Sequence, residues 1–155
     1  MGYIIINDMN DEIAKEICSW EYEGDYKIYN LPDFETMKGN GYSLCNSDKS
    51  KEFYCFFNTD KQLIAYVRFI KKGDVYVMGI GLSPNYVGRG VGQQIIRLSI
   101  DKFKQTISNA KVTLEVRAWN TRAIKCYLKS GFKIVKSEVV KDRLGNPCEF
   151  VFMEL

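Results

Sequence analysis

The chain of 155 residues contains no histidine. That excludes His-based activation of a nucleophile and the usual zinc sites. Glu, Asp, Tyr, Cys and Lys are left as acid–base groups. There is no C-x-x-C pair, and the cysteines (Cys18, Cys45, Cys55, Cys126 and Cys148) are odd in number. Reduced thiols in a cytosol are therefore expected rather than a disulfide framework. There is no long apolar run. The opening MGYIIINDMNDEIAKEI soon turns acidic, so neither a signal peptide nor a membrane span is expected. Ile6 stands where a myristoylation signal wants Ser or Thr. Repeats, low-complexity tracts and linkers are also missing. The net charge of +3 is mild and its basic residues are scattered among acidic ones, which argues against a nucleic-acid partner. What remains is ordinary globular composition, 46% hydrophobic and 26% charged. The expectation is one domain, residues 1–155, in the cytoplasm, as a monomer or homodimer.

Patterning predicts strands over residues 3–6, 53–57, 63–70, 75–82, 111–116, 133–140 and 149–153. Residues 10–20 read as a helix, capped by Asn10 or Asp11, with Ile13, Ile17 and Trp20 on one face. A short helix follows Leu31-Pro32-Asp33. Val91, Ile95, Ile96, Ile100, Phe103 and Ile107 recur at helical spacing, and residues 120–129 form a last helix that Gly131 terminates. Strands and helices mix, with hairpins early and late, so the fold class is α+β (mixed α/β) rather than a run of βαβ units.

Between strand 75–82 and the long helix lies PNYVGRGVGQQ, residues 84–94, with glycines at three alternate positions. Glycine admits φ > 0 and close approach to the main chain. Successive N–H groups in such a turn converge on an anion, and the following helix adds unpaired N–H groups and a favourable dipole. Arg89 adds a cation. The P-loop pattern is absent, and G-x-G-x-G is not the dinucleotide fingerprint.

The next strand and helix carry LEVRAWNTRAIKCYLKSGF, residues 114–132. With this second motif the chain resembles the GNAT superfamily of N-acetyltransferases. Residues 87–92 match the family's pyrophosphate loop, Arg/Gln-x-x-Gly-x-Gly/Ala, with Val87 in place of the usual Arg or Gln. Asn120, Ala123, Tyr127 and the Gly131-Phe132 pair match the second cofactor motif. The resemblance implies a central, mostly antiparallel sheet of six to seven strands, splayed between the fourth and fifth, with about four helices. It implies acetyl-coenzyme A as co-substrate and no metal. It also implies cofactor contacts from Val87, Gly88, Arg89, Gly90, Val91, Gly92, Gln93 and Asn120. The pantetheine arm would pair with backbone groups of Ile80, Gly81 and Leu82, and Gly79 and Gly81 suit a close backbone approach.

The reaction this implies is direct attack of an amine on the thioester. A backbone N–H near Leu82 would meet the oxyanion. Tyr127 sits where the family places the proton donor to the leaving thiolate, and its phenol is protonated at neutral pH. Alternation over residues 111–117 sets Thr113, Glu115 and Arg117 on one face, so Glu115 is either the general base or an ion-pair partner of Arg117; water is the other base. The segment SWEYEGDYKIYNLPDFE, residues 19–35, is dense in rings and carboxylates. Trp20, Tyr22 and Tyr26 either line an acceptor pocket for a small-molecule or peptide amine or pack the first helix on the sheet. The other function class carried forward is a non-catalytic coenzyme A sensor or regulatory module, which need not keep Tyr127.

Overall fold

A computed structural model of the chain describes residues 2–155. In chain order the elements are β1 (Ile4–Ile6), α1 (Asp11–Cys18), α2 (Phe34–Gly39), β2 (Phe53–Phe57), β3 (Leu63–Lys72), β4 (Val75–Leu82), α3 (Val91–Thr106), β5 (Lys111–Arg117), α4 (Thr121–Lys129), β6 (Lys133–Lys141) and β7 (Pro147–Glu154). Short 3-10 turns cover Gly24–Tyr29, Ser43–Cys45, Ser47–Glu52 and Pro84–Tyr86. The strands form one open sheet in the order β1-β2-β3-β4-β5-β7-β6. The β4–β5 pair is parallel, while β1–β2, β2–β3, β5–β7 and β6–β7 are antiparallel. The β4–β5 register joins Val75 with Lys111, Tyr76 with Val112 and Val77 with Thr113. Both strands then continue, β4 to Leu82 and β5 to Arg117. This is the mixed, mostly antiparallel sheet that the family resemblance implies.

The chain divides into two compact units. The first comprises the residues up to Arg68 and Ile80–Val91. Its core collects Ile13, Ile17 and Trp20 from α1 and just beyond it, with Met37, Leu44, Phe53, Cys55 and Leu63. Each large side chain buried there contributes about 1.5–3 kcal/mol. Asn10 starts α1, its Oδ1 accepting the Ile13 N–H at 2.8 Å. The helix stops at Cys18, short of the predicted Trp20, because the Ser19 N–H turns back to the Glu16 carbonyl at 3.0 Å and the Trp20 N–H to the Ile17 carbonyl at 3.1 Å. The 3-10 turn Gly24–Tyr29 was not legible in the sequence; it has no buried residue and hence no apolar period to announce it.

The second unit comprises Phe69–Gly79 and Gly92–Leu155. On α3, Ile95, Ile96, Ile100 and Phe103 are buried. Phe103 stacks on Phe69 with centroids 4.1 Å apart and meets Tyr76 edge-on at 4.8 Å. On β5, Val112, Leu114 and Val116 are buried, while Thr113, Glu115 and Arg117 share the other face, as alternation predicts. Among the described residues no helix is long and apolar enough to cross a membrane.

Candidate functional site

The glycine loop leaves β4 through the 3-10 turn Pro84–Tyr86. Gly88 and Gly90 take φ of +77° and +75°, a region that costs an L-residue roughly 1–2 kcal/mol. A Cβ at either would meet nothing within 4 Å. Backbone conformation therefore demands glycine here, and the main chain stays open on that side. Gly92 is already the second residue of α3. The first turn of α3 holds no acidic residue, whereas α1 places Asp11 and Glu12 in its first turn and α2 places Glu35. The positive end of the α3 dipole is thus not neutralised by a carboxylate of its own first turn. Arg89 lies over the Tyr86 ring, 5.9 Å from its centroid, and Asn58 Nδ2 donates to Tyr86 Oη at 3.1 Å. Open glycines, a helix start and an arginine fit an anion of pyrophosphate size.

At the end of β4, the Cβ side of Gly81 faces a side chain of this chain. A Cβ on Gly81 would fall 2.6 Å from Tyr66 Cζ and 2.9 Å from its Oη. The neighbour that requires glycine there is a tyrosine ring of this chain. Gly79 has open space beside it. Tyr66 stacks on Trp20 at 6.2 Å and 22°, so Trp20 lies buried in the core of the first unit. Tyr22 is half-buried and its Oη donates to the Leu82 carbonyl at 2.6 Å. Tyr26 is half-buried in the 3-10 turn, with Glu21, Glu23 and Asp25 exposed around it. Ile80 and Leu82 are partly exposed at the strand end.

In the second unit, Asn120 caps α4, its Oδ1 accepting the Ala123 N–H at 3.2 Å. Tyr127 is half-buried on α4, with the Phe132 ring edge-on at 6.1 Å. Gly131 ends the helix at φ +102°, as a left-handed cap requires. Glu115 is exposed on the open face of β5 and borders a hollow of about 210 Å³. Val77, Thr113, Val135, Phe152 and Glu154 line it as well. The ion pair of Arg117 is with Asp142 at 3.8 Å; its guanidinium also donates to Cys148 Sγ at 3.0 Å and lies over Phe150. All five cysteines are free thiols. Burial pushes the Cys55 thiol up to about 12 and raises Cys126, so neither is a ready nucleophile.

Sequence reasoning missed three partners: Tyr66 against Gly81, Leu82 beneath Tyr22, and the Phe152–Glu154 wall beside Glu115. The last follows from the β5–β7 register, which sets Glu115 opposite Phe152 and Thr113 opposite Glu154. Alternation alone puts these residues on one face only once that register is known.

Comparison with known proteins agrees with the fold. The family model of the acetyltransferase (GNAT) family matches residues 12–132, and the chain belongs to that family. A mycothiol acetyltransferase of Corynebacterium glutamicum is 39% identical over 70 residues, covering 45% of this chain and 23% of that protein. An N-alpha-acetyltransferase of Sulfurisphaera tokodaii is 38% identical over 80 residues, covering 52% of this chain and 45% of its own length. The chain thus spans under half the length of these relatives. A solved spermidine N-acetyltransferase chimera involving Vibrio cholerae superposes with a TM-score of 0.80 at 16% identity, over 100% of this chain and 95% of that one. A GNAT-family acetyltransferase from Bacillus anthracis gives 0.80 at 11% identity, with the same coverage. At such identities the likeness is one of fold.

Proposed function

We propose that the chain, as one catalytic domain over residues 1–155, moves the acetyl group of acetyl-coenzyme A to a primary amine. The observation that carries this is the loop in which Gly88 and Gly90 stand at positive φ before a helix whose first turn holds no acid. Val87, Gly88, Arg89, Gly90, Val91, Gly92 and Gln93 would hold the pyrophosphate, chiefly through main-chain N–H groups. Because backbone groups make most of these contacts, Val87 in place of the family's Arg or Gln is tolerated. Ile80, Gly81 and Leu82 would pair with the pantetheine arm. The Ser83 N–H is committed to the Ile64 carbonyl at 2.7 Å, so Leu82's own N–H is the better oxyanion donor.

In the reaction the amine nitrogen bonds to the thioester carbon and the carbon–sulfur bond breaks. Glu115, or water, takes the proton from nitrogen. The Tyr127 hydroxyl supplies one to sulfur. Two carboxylates and an aromatic ring border the hollow at Glu115, which suits an acceptor that arrives as an ammonium ion. Two of the similar proteins are named for acetylating amines, an N-alpha-acetyltransferase and a spermidine N-acetyltransferase, which supports the same class. Tyr22 and Tyr26 belong to the acceptor side in this reading. Trp20 packs on Tyr66 in the core.

The test is free-thiol release from acetyl-coenzyme A over a panel: a diamine, a polyamine, an aminoglycoside, and peptides offering an alanine N-terminus or a lysine. At least one amine should raise the rate well above hydrolysis. Tyr127→Phe should then lower turnover about 10²-fold with little change in acetyl-coenzyme A affinity. If no amine accelerates thiol release, the reading fails; if Tyr127→Phe keeps full turnover, the proton donor is another group.

A further inference from the structure

Leu82 is the last residue of β4, and the peptide that follows it is trans, like every described peptide bond. A trans peptide points its C=O and its N–H in opposite directions. The N–H of this peptide belongs to Ser83 and donates to Ile64 on β3. The Leu82 carbonyl therefore faces away from β3. Tyr22 Oη donates to it there at 2.6 Å, across 60 residues of sequence.

Further hydrogen bonds run within the Tyr22 segment. The Tyr22 N–H donates to Asn30 Oδ1 at 2.7 Å, the Tyr26 N–H to the Glu23 carbonyl at 3.2 Å and the Asn30 N–H to the Lys27 carbonyl at 2.9 Å. The turn Gly24–Tyr29 buries no residue, so the apolar core does not fix its place. Trp20 anchors only the start of the segment. A hydrogen-bonded turn carrying Glu23, Asp25 and Tyr26 thus reaches the end of β4 through the Tyr22 phenol, while Trp20 before it and Leu31 after it pack on the core.

We propose that Tyr22 is a positioning residue for the amine acceptor: by holding the carbonyl of Leu82, its hydroxyl sets residues 19–30 in register with the strand end that takes the thioester. This rests on the acetyltransfer reading above and assigns Tyr22 a role through Leu82 rather than through substrate.

Three measurements test it on the full chain, with the fastest amine of the panel as probe. Tyr22→Phe keeps the ring and loses the donor. It should raise KM for the amine about 3- to 10-fold, the worth of one hydrogen bond, with kcat within about twofold. The melting-temperature rise given by acetyl-coenzyme A should match wild type. Hydrogen exchange of residues 20–30 should quicken in Tyr22→Phe. Asn30→Ala, which loosens the turn without touching Leu82, should raise the same KM. The proposal is overturned if exchange quickens and the amine KM stays put. It is equally overturned if kcat and both KM values worsen together, which marks general damage. A wild-type protein whose melting temperature ignores millimolar acetyl-coenzyme A defeats the acetyltransfer reading itself, and this inference with it; a normal wild-type rise without the KM split defeats the Tyr22 role alone.

Discussion

Helices α1 and α2 begin very differently from α3. Asn10 caps α1, and Asp11 and Glu12 follow in its first turn. Asp33 caps α2 twice over, Oδ1 accepting the Thr36 N–H and Oδ2 accepting from Thr36 Oγ1, each at 2.9 Å. Both helices spend their free N–H groups and the positive end of their dipole on their own side chains. At α3 two left-handed glycines lead in and no carboxylate stands in the first turn. The same physical resource is used for stability in the first two; in the proposed reading a phosphate uses it in the third. Helix α4 falls between: Asn120 caps it, yet its first turn also lacks an acid.

Gly90→Asp should break the contrast most sharply. It puts a carboxylate at the start of α3 and repels phosphate. The expected result is an acetyl-coenzyme A affinity at least about 10-fold weaker, read as a lost melting-temperature rise. An undiminished rise would mean that α3 is an ordinary helix start. Asn120→Asp is the next largest. It keeps the cap oxygen and removes the side-chain amide donor, so the melting temperature should hold. Affinity for acetyl-coenzyme A should drop about 3- to 10-fold if that amide serves the cofactor. Equal affinity would leave Asn120 a cap and nothing more.

At α1 the forecast is reversed. Asn10→Ala should cost about 1 kcal/mol in chemical denaturation and leave the acetyl-coenzyme A response as it was. The smallest effect is expected at Asp33, where the Thr36 N–H and hydroxyl hold the carboxyl below the usual range. A depressed carboxyl stabilises above its unfolded pKa, and that contribution is lost as pH falls through the folded value. Asp33→Asn should therefore flatten the acid limb of a melting-temperature profile below about pH 4. The neutral cap at Asn10 should give no such slope; a profile unchanged by Asp33→Asn would show that charge adds nothing to that cap.

The strands and helix faces were legible because each has a local period. Residues 53–57 and 75–82 are strands as predicted, and Asn10 is one of the two caps proposed for α1. The glycine loop and the Tyr127 motif were legible because their spacing is local too. Trp20 was ambiguous for the opposite reason. A ring near a helix end suits a pocket or a core equally well, and its stacking on Tyr66, 46 positions along the chain, decides for the core.

By itself the sequence determined which faces are apolar, where the helices start and that left-handed glycines precede α3. These are matters of residue type, decided within one or two turns of chain. Only the tertiary structure decided that Tyr66 fills the space beside Gly81, that Phe152 and Glu154 stand next to Glu115, and that Tyr22 reaches Leu82. Those contacts depend on strand register and on the folding of a segment with no buried residue. Hydrophobic pattern says which face a side chain takes, but it does not say which residue of a neighbouring strand or loop stands opposite.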